Sequence, residues 1–257
     1  MVNLMVNGRS LNVPGDATLL QAIQAAGVDL PTLCYFEGLP PYGACRLCLV
    51  TITAPRHAVV AACSYPVEDG LVVETDAPDA VATRQLALEF LLSRCPRSEV
   101  IRNLAAREGI AWSRFGFPPS ERADELCVLC GLCVRVCRDL VGAAAIGFIG
   151  RGAQREVGAP FHLQSEVCIG CGACAAVCPT GAGKIEDRGG QRVLRTWNTT
   201  VPLKPCPVCG KPFAPESMAF LRDLAEASAD LWGICPACRR KQAAAQMDVV
   251  REAAFHS

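Results

Sequence analysis

The sequence predicts an α+β protein of four consecutive parts, over residues 1–76, 77–120, 121–195 and 200–257. Three observations predict it. A hairpin, a helix and further short strands follow one another between Val2 and Glu74. A long apolar stretch with helical spacing comes next. The 17 cysteines among 257 residues then fall into four groups of four, with one left over.

In the first part, Val2–Val6 and Leu11–Val13 read as strands. Asn7-Gly8 between them supplies the positive φ that a type I′ hairpin turn needs. Leu19, Leu20, Ile23 and Ala26 fall at helical spacing, with Asp16 or Thr18 as N-cap and Gly27 as stop. Leu47–Thr53, His57–Ala62 and Leu71–Glu74 are further strands. This order of elements is that of a β-grasp fold. Cys34-x10-Cys45-x2-Cys48 surrounds a loop rich in glycine and proline, and Cys63 follows at a longer interval. The spacing is close to the plant-type C-x4-C-x2-C…C arrangement that holds a [2Fe–2S] cluster, with a longer first gap. Cys34, Cys45, Cys48 and Cys63 are the expected ligands. Gly38, Gly43 and Ala44 leave room for backbone N–H groups to approach cluster sulfurs, and such bonds help set a reduction potential.

The second part is a helical linker. Pro78 suits a first turn, and Val81, Leu86, Leu88, Phe90, Leu91 and Leu92 supply a broad apolar face. Ile101, Leu104, Ala105 and Ile110 predict a second, shorter helix. Ser93-Arg94-Cys95-Pro96 separates the two, because proline disfavours helix in the residue before it.

The third part carries the strongest motif. Cys127-x2-Cys130-x2-Cys133-x3-Cys137 recurs as Cys168-x2-Cys171-x2-Cys174-x3-Cys178-Pro179. Three thiolates two residues apart wrap one corner of a [4Fe–4S] cubane, and the fourth ligates the other cluster. The expected sets are Cys127, Cys130 and Cys133 with Cys178, and Cys168, Cys171 and Cys174 with Cys137. Gly131 and Gly172 sit where the backbone must curl round a cluster. Ile146 and Ile169 are expected apolar covers.

The fourth part differs. Cys206-Pro-Val-Cys209-Gly210 and Cys235-Pro-Ala-Cys238-Arg239 are two separate C-P-x-C knuckles. They look like a zinc-ribbon or treble-clef site, where four thiolates hold one structural Zn²⁺. A third [4Fe–4S] cluster is the alternative. A helix-like stretch, Glu216–Ala229, lies between the knuckles, and Lys241–Ala254 reads as a final helix.

Leu30-Pro31-Thr32-Leu33-Cys34-Tyr35 and Gly43-Ala44-Cys45-Arg46-Leu47-Cys48-Leu49-Val50 resemble the N-terminal [2Fe–2S] domain of a known family. It includes the large electron-wire subunit of respiratory complex I, iron-only hydrogenases, and the small diaphorase subunits of NAD-linked hydrogenases and formate dehydrogenases. Val141–Gly152 and Pro160-Phe161 resemble that family's segment between its cubane motifs. The resemblance covers roughly 1–195, excepting 93–115. Most of the family carries a His/Cys3 motif there for another [4Fe–4S] cluster, whereas this chain has only Cys95 and no histidine between His57 and His162. That cluster is therefore expected to be absent. Cys95 then reads as a buried thiol, the alternative being a ligand role completed by another subunit.

Formal net charge is zero, with 25 basic and 25 acidic residues and no strongly basic stripe, so nucleic acid is not suggested. The N-terminus lacks a secretory pattern. The longest apolar stretch, Leu140–Gly150, falls well short of the roughly 20 residues that a membrane span needs. A cytoplasmic, reducing setting is expected, where grouped cysteines are metal ligands. G-x-G-x-x-G and P-loop motifs are missing, and His57, His162 and His256 are scattered, so a catalytic site is not evident.

By resemblance, the chain is expected to be a non-catalytic electron-transfer subunit of a multi-subunit NAD(P)-linked oxidoreductase. A flavin-bearing, NAD(P)H-oxidising partner would stand at one end. A hydrogenase, formate dehydrogenase or other reductase would stand at the other. A free-standing multi-cluster carrier and an iron–sulfur regulatory or nucleic-acid-associated protein are the alternatives.

Overall fold

The structure, a computed structural model, describes residues 1–116, 125–218 and 233–255. It divides into two compact units, Met1–Leu140 with Val177–Ala182, and Val141–Ala176 with Gly183–Ser257.

The first unit begins with β1 (Val2–Val6), β2 (Arg9–Val13), α1 (Leu19–Ala25), β3 (Leu49–Ala54), β4 (Ala58–Ala61) and β5 (Val72–Glu74). The sheet order is β2-β1-β5-β3-β4, and its one parallel pair is β1 with β5. This mixed sheet with a helix crossing after the first hairpin is the β-grasp arrangement. Asn7 and Gly8 turn the hairpin at φ 49° and 75°, both positive as a type I′ turn requires. Thr18, not Asp16, caps α1: its hydroxyl accepts from the Gln21 N–H, and the Gln21 side chain accepts from the Thr18 N–H at 2.8 Å. That reciprocal capping box fixes where α1 starts. Leu19, Leu20 and Ile23 on α1 are fully buried against Val6, Val50 and Ile52 of the sheet. Each such side chain contributes about 2 kcal/mol by leaving water.

Two helices follow, α2 (Pro78–Arg94) and α3 (Glu99–Arg107). Pro78 occupies the first turn of α2, and Ser98 caps α3 by accepting from Ile101 N–H. The broad apolar face expected on α2 is corrected. Its buried stripe is Ala80, Arg84, Leu88 and Leu92, one residue per turn, while Leu86 and Phe90 are exposed. Phe90 instead stacks on Phe115, with ring centroids 4.3 Å apart. Arg84 takes an inward position because it has acceptors there, the carbonyls of Leu49 at 2.9 Å and Thr75 at 2.7 Å. A second apolar cluster joins Leu33 and Leu47 to Leu88, Leu92, Cys95, Ile101 and Ala105, so the helical pair buttresses the cysteine loop. Later in the unit, α4 (Leu132–Arg135) runs into a π-helical turn, Val136–Leu140.

The second unit holds the hairpin β6 (Gly147–Ile149) and β7 (Glu156–Gly158), a short α5 (Ala173–Ala176), and a four-stranded antiparallel sheet. The strands of that sheet are β8 (Ile185–Arg188), β9 (Gln191–Leu194), β10 (Thr199–Pro205) and β11 (Pro212–Pro215), in order β11-β10-β9-β8. One sheet thus runs across residues 195–200, the sequence-based boundary between the third and fourth parts. The final helix, α6, extends over Pro236–Phe255. Of the helix-like stretch Glu216–Ala229, Glu216–Met218 forms a 3₁₀ turn and the remainder lies outside the described residues.

Candidate metal centres

Cys34, Cys48 and Cys63 are buried and Cys45 half-buried. Local hydrogen bonds bring them together. Leu19 and Leu20 at the start of α1 donate to the carbonyls of Tyr65 at 2.8 Å and Ala62 at 2.9 Å, which brackets Cys63. Ala62 N–H donates to Cys48 carbonyl at 2.9 Å, which ties Cys63 to the loop before β3. Cys34 and Cys45 sulfurs lie 3.4 Å apart, and Cys45 N–H also points at Cys34 Sγ at 3.4 Å. Gly43 adopts φ 66°, and a side chain there would crowd Ser64 Oγ at 3.3 Å. The Cys45 thiol is pushed up by its bond to Cys34 and by burial, and the Cys48 thiol is held down by its bond to Cys63. Thiols this close cannot all ionise at once, because each new thiolate repels the next. An iron centre that replaces their protons removes the conflict.

Cys127, Cys130 and Cys133 share the first unit with Cys178. The Cys130 thiol is pushed up to about 11 by burial, with Cys178, Cys127 and Cys34 adding to the shift. Burial also raises the Cys127 thiol, and Cys178 again contributes. Cys127, Cys178 and Cys34 therefore all lie near enough to Cys130 to raise its thiol. Leu129 and Gly131 bend this loop through φ 54° and 75°. Arg94 Nε donates to the Cys127 carbonyl at 2.9 Å and its guanidinium pairs with Glu125 at 2.8 Å. Cys95 is fully buried and its thiol points at that same carbonyl at 3.5 Å. Burial pushes it up to about 12, so it sits as a neutral thiol in an apolar cluster.

Arg135 joins this loop to the first cysteine group. It is buried on α4, donates to the Cys34 carbonyl at 3.0 Å, and also donates to the Pro40 carbonyl. Its guanidinium lies 5.1 Å from the Tyr42 ring centroid. Ala44, Cys45 and Arg46 line one cleft with Val128, Leu129 and Cys130.

In the second unit, Cys174 is buried, and Cys168 and Cys171 are half-buried. Gly172 curls at φ 83° and Gly170 at φ 66°. A side chain on Gly170 would meet Val201 Cγ2 at 2.3 Å, so glycine is required there. Ile146 is buried and Ile169 half-buried. The β8–β11 sheet and its adjoining 3₁₀ turns reach the loop with polar groups that spacing alone does not reveal. Arg192 donates to Gly170 carbonyl at 3.0 Å, Ser217 donates to Ile169 carbonyl at 2.9 Å, and Trp197 Nε1 donates to Cys174 Sγ at 3.2 Å. Cys137 lies half-buried in the π-helical turn of the first unit.

The C-terminal knuckles meet. The sulfurs of Cys206, Cys209, Cys235 and Cys238 all lie within 4.8 Å of one another, and those of Cys209 and Cys235 are 3.7 Å apart. A tetrahedral ion with sulfur at about 2.3 Å demands edges of about 3.8 Å. A cubane places each thiolate on its own iron and spreads them further, so the donor set fits one ion. Backbone N–H groups of Cys235, Cys209 and Val208 hold the Cys206 thiol below its ordinary value, which favours the ligating thiolate.

The histidines build no catalytic unit among the described residues. Asp79 lies between Thr51 and exposed His57, so the imidazole is not placed to take the threonine proton. His162 pairs with Glu156 at 3.4 Å on the surface, and His256 lies outside the described residues. No described helix is long and apolar enough to cross a membrane.

The fold and these cysteine sets define an iron–sulfur protein. Residues 1–78 match the 2Fe-2S iron-sulfur cluster binding domain, and residues 126–182 match the 4Fe-4S dicluster domain. Among curated proteins, the chain is 32% identical over 180 residues to the NADH-ubiquinone oxidoreductase 78 kDa subunit of Neurospora crassa, covering 61% of this chain and 24% of that protein. It is 31% identical over 172 residues to the NADPH-Fe(3+) oxidoreductase subunit alpha of Geobacter sulfurreducens, covering 59% and 20%. It is 30% identical over 179 residues to the mitochondrial NADH dehydrogenase (ubiquinone) iron-sulfur protein 1 of Solanum tuberosum, covering 62% and 24%. The chain thus spans about a quarter of the length of the curated relatives it matches. Among solved structures, it superposes on a chain of an NAD+-reducing [NiFe]-hydrogenase with a TM-score of 0.53 and 26% identity, covering 62% of this chain and 74% of that one. The resemblance carried by the N-terminal and dicluster motifs therefore holds against respiratory NADH dehydrogenase subunits and an NAD-linked hydrogenase alike.

Proposed function

We propose that this chain is an electron-transfer subunit of an NAD(P)-linked oxidoreductase complex, holding one [2Fe–2S] cluster, two [4Fe–4S] clusters and one structural zinc. Bound clusters supply one-electron uptake and release, and the protein sets their spacing and potential. The observation that carries the reading is Arg135. One buried guanidinium on the first cubane motif grips two carbonyls of the [2Fe–2S] loop, so neighbouring redox sites are held at fixed separation. Cys34, Cys45, Cys48 and Cys63 hold the [2Fe–2S] cluster. Cys127, Cys130, Cys133 and Cys178 hold one cubane. Cys168, Cys171 and Cys174 hold the other, with Cys137 as fourth ligand by the crossing rule for such runs. The tight Cys206, Cys209, Cys235 and Cys238 set favours a zinc-ribbon or treble-clef module over a third cubane. The partners would be a flavin subunit that oxidises NAD(P)H and a hydrogenase, formate dehydrogenase or other reductase subunit, in the cytoplasm.

Anaerobic purification from the native source tests this. A copurifying flavin subunit and reduction of the clusters by NAD(P)H are expected. A stable monomer that any generic ferredoxin reductase reduces would support the free-standing carrier instead.

A further inference from the structure

We propose that Trp197 sets the reduction potential of the cluster held by Cys168, Cys171 and Cys174, by donating its indole N–H to the Cys174 sulfur; this rests on the reading of those thiols as cubane ligands.

Trp197 lies outside the dicluster match, 23 residues beyond Cys174. It is buried at 4% exposure. A buried indole N–H has one proton to give and no acceptor function, so it needs a partner. Its partner is Cys174 Sγ at 3.2 Å.

The backbone that carries the ring is held in place. Asn198, in the left-handed region at φ 46°, donates from its side chain to His162 carbonyl at 3.1 Å. Thr199 Oγ1 donates to the Trp197 carbonyl at 2.9 Å and accepts from Ser165 N–H at 3.2 Å. The loop opposite is held too. Asp187 grips Arg192 at 2.7 and 2.8 Å, and Arg192 donates in turn to Gly170 carbonyl. Val201 packs where Gly170 lacks a side chain. The 3₁₀ turn between β9 and β10 therefore presents an indole N–H to a sulfur of a loop that Arg192 holds.

An N–H donated to a thiolate ligand stabilises the more negative, reduced cluster, and so raises its potential. A core tryptophan that merely fills space would not do so. Trp197→Phe keeps the apolar ring and deletes the donor. The expected result, from potentiometric titration of the full chain followed by EPR, is a lower midpoint for one cubane only. The [2Fe–2S] cluster and the other cubane should keep theirs. Unchanged midpoints in a variant with full iron would overturn the proposal. Should the variant lose its cubane, wild-type protein carrying indole-15N tryptophan decides. Pulsed EPR of the reduced cubane should show a 15N coupling, and its absence would overturn the proposal. Wild-type protein without cubane signals would instead overturn the ligand reading, and this proposal with it.

Discussion

The C-terminal knuckles and the Cys127 loop are both built from C-x2-C units, yet they gather their sulfurs differently. At the knuckles, four thiols converge to within 4.8 Å, and Gly210 N–H closes a turn onto the Cys206 carbonyl at 2.8 Å. At the Cys127 loop, Leu129 and Gly131 bend the chain through positive φ, and the proposed fourth ligand, Cys178, comes from the end of the second cysteine run. The first shape suits a single closed ion and the second suits a polynuclear cluster. Spacing within one C-x2-C unit does not separate the two cases. What separates them is where the remaining thiols come from.

Removing a knuckle ligand should break this comparison most severely. A structural zinc in a small module contributes about 10–16 kcal/mol of apparent binding free energy. Cys235→Ser is expected to release zinc and unfold the C-terminal module, while the [2Fe–2S] visible spectrum survives. Iron lost in place of zinc would contradict the single-ion reading.

Arg84→Met comes next. It strips the Leu49 and Thr75 carbonyls of their buried donor, at a cost of about 3 kcal/mol. Thermal unfolding should show a lower Tm with unchanged metal content.

Arg135→Met should cost less in stability, about 2 kcal/mol, but act on function. Loss of its bonds to Cys34 and Pro40 carbonyls is expected to slow electron exchange between the [2Fe–2S] and cubane sites in flash-reduction kinetics. Equal rates in wild type and variant would dissociate Arg135 from the wire.

Cys95→Ala should have the smallest effect, about 1–2 kcal/mol for a small cavity. Iron content should not change, because the Cys95 thiol points at the Cys127 carbonyl, not at a sulfur, and packs with Leu92 and Ile101. A loss of about four iron per chain, the content of one cubane, would make it a ligand.

Much of this was legible from residue types whose chemistry is local. Asn7-Gly8 and Pro78 each act within a few residues, so the hairpin and the start of α2 were readable, while the N-cap of α1 was narrowed only to Asp16 or Thr18. The grouped cysteines were readable because metal ligation constrains sequence spacing directly. Arg84 was not readable, because an arginine in a helical stripe turns inward only when tertiary acceptors await it. Strands β8 and β9 were not readable for a related reason. Ile185–Arg188 is short with three charged residues, and Gln191–Leu194 is only four residues long, so neither shows the apolar alternation that marks a half-buried strand. Missing that sheet also hid Trp197, whose hydrogen bond to Cys174 exists only once β9 and β10 are folded against the loop.

The contrast between open cluster loops and one closed ion site reduces to a metal count. The anaerobically purified chain should contain about ten iron, about ten acid-labile sulfide and one zinc, two iron from the [2Fe–2S] and eight from the cubanes. About fourteen iron with no zinc would place a cubane at the C-terminal knuckles and contradict the account.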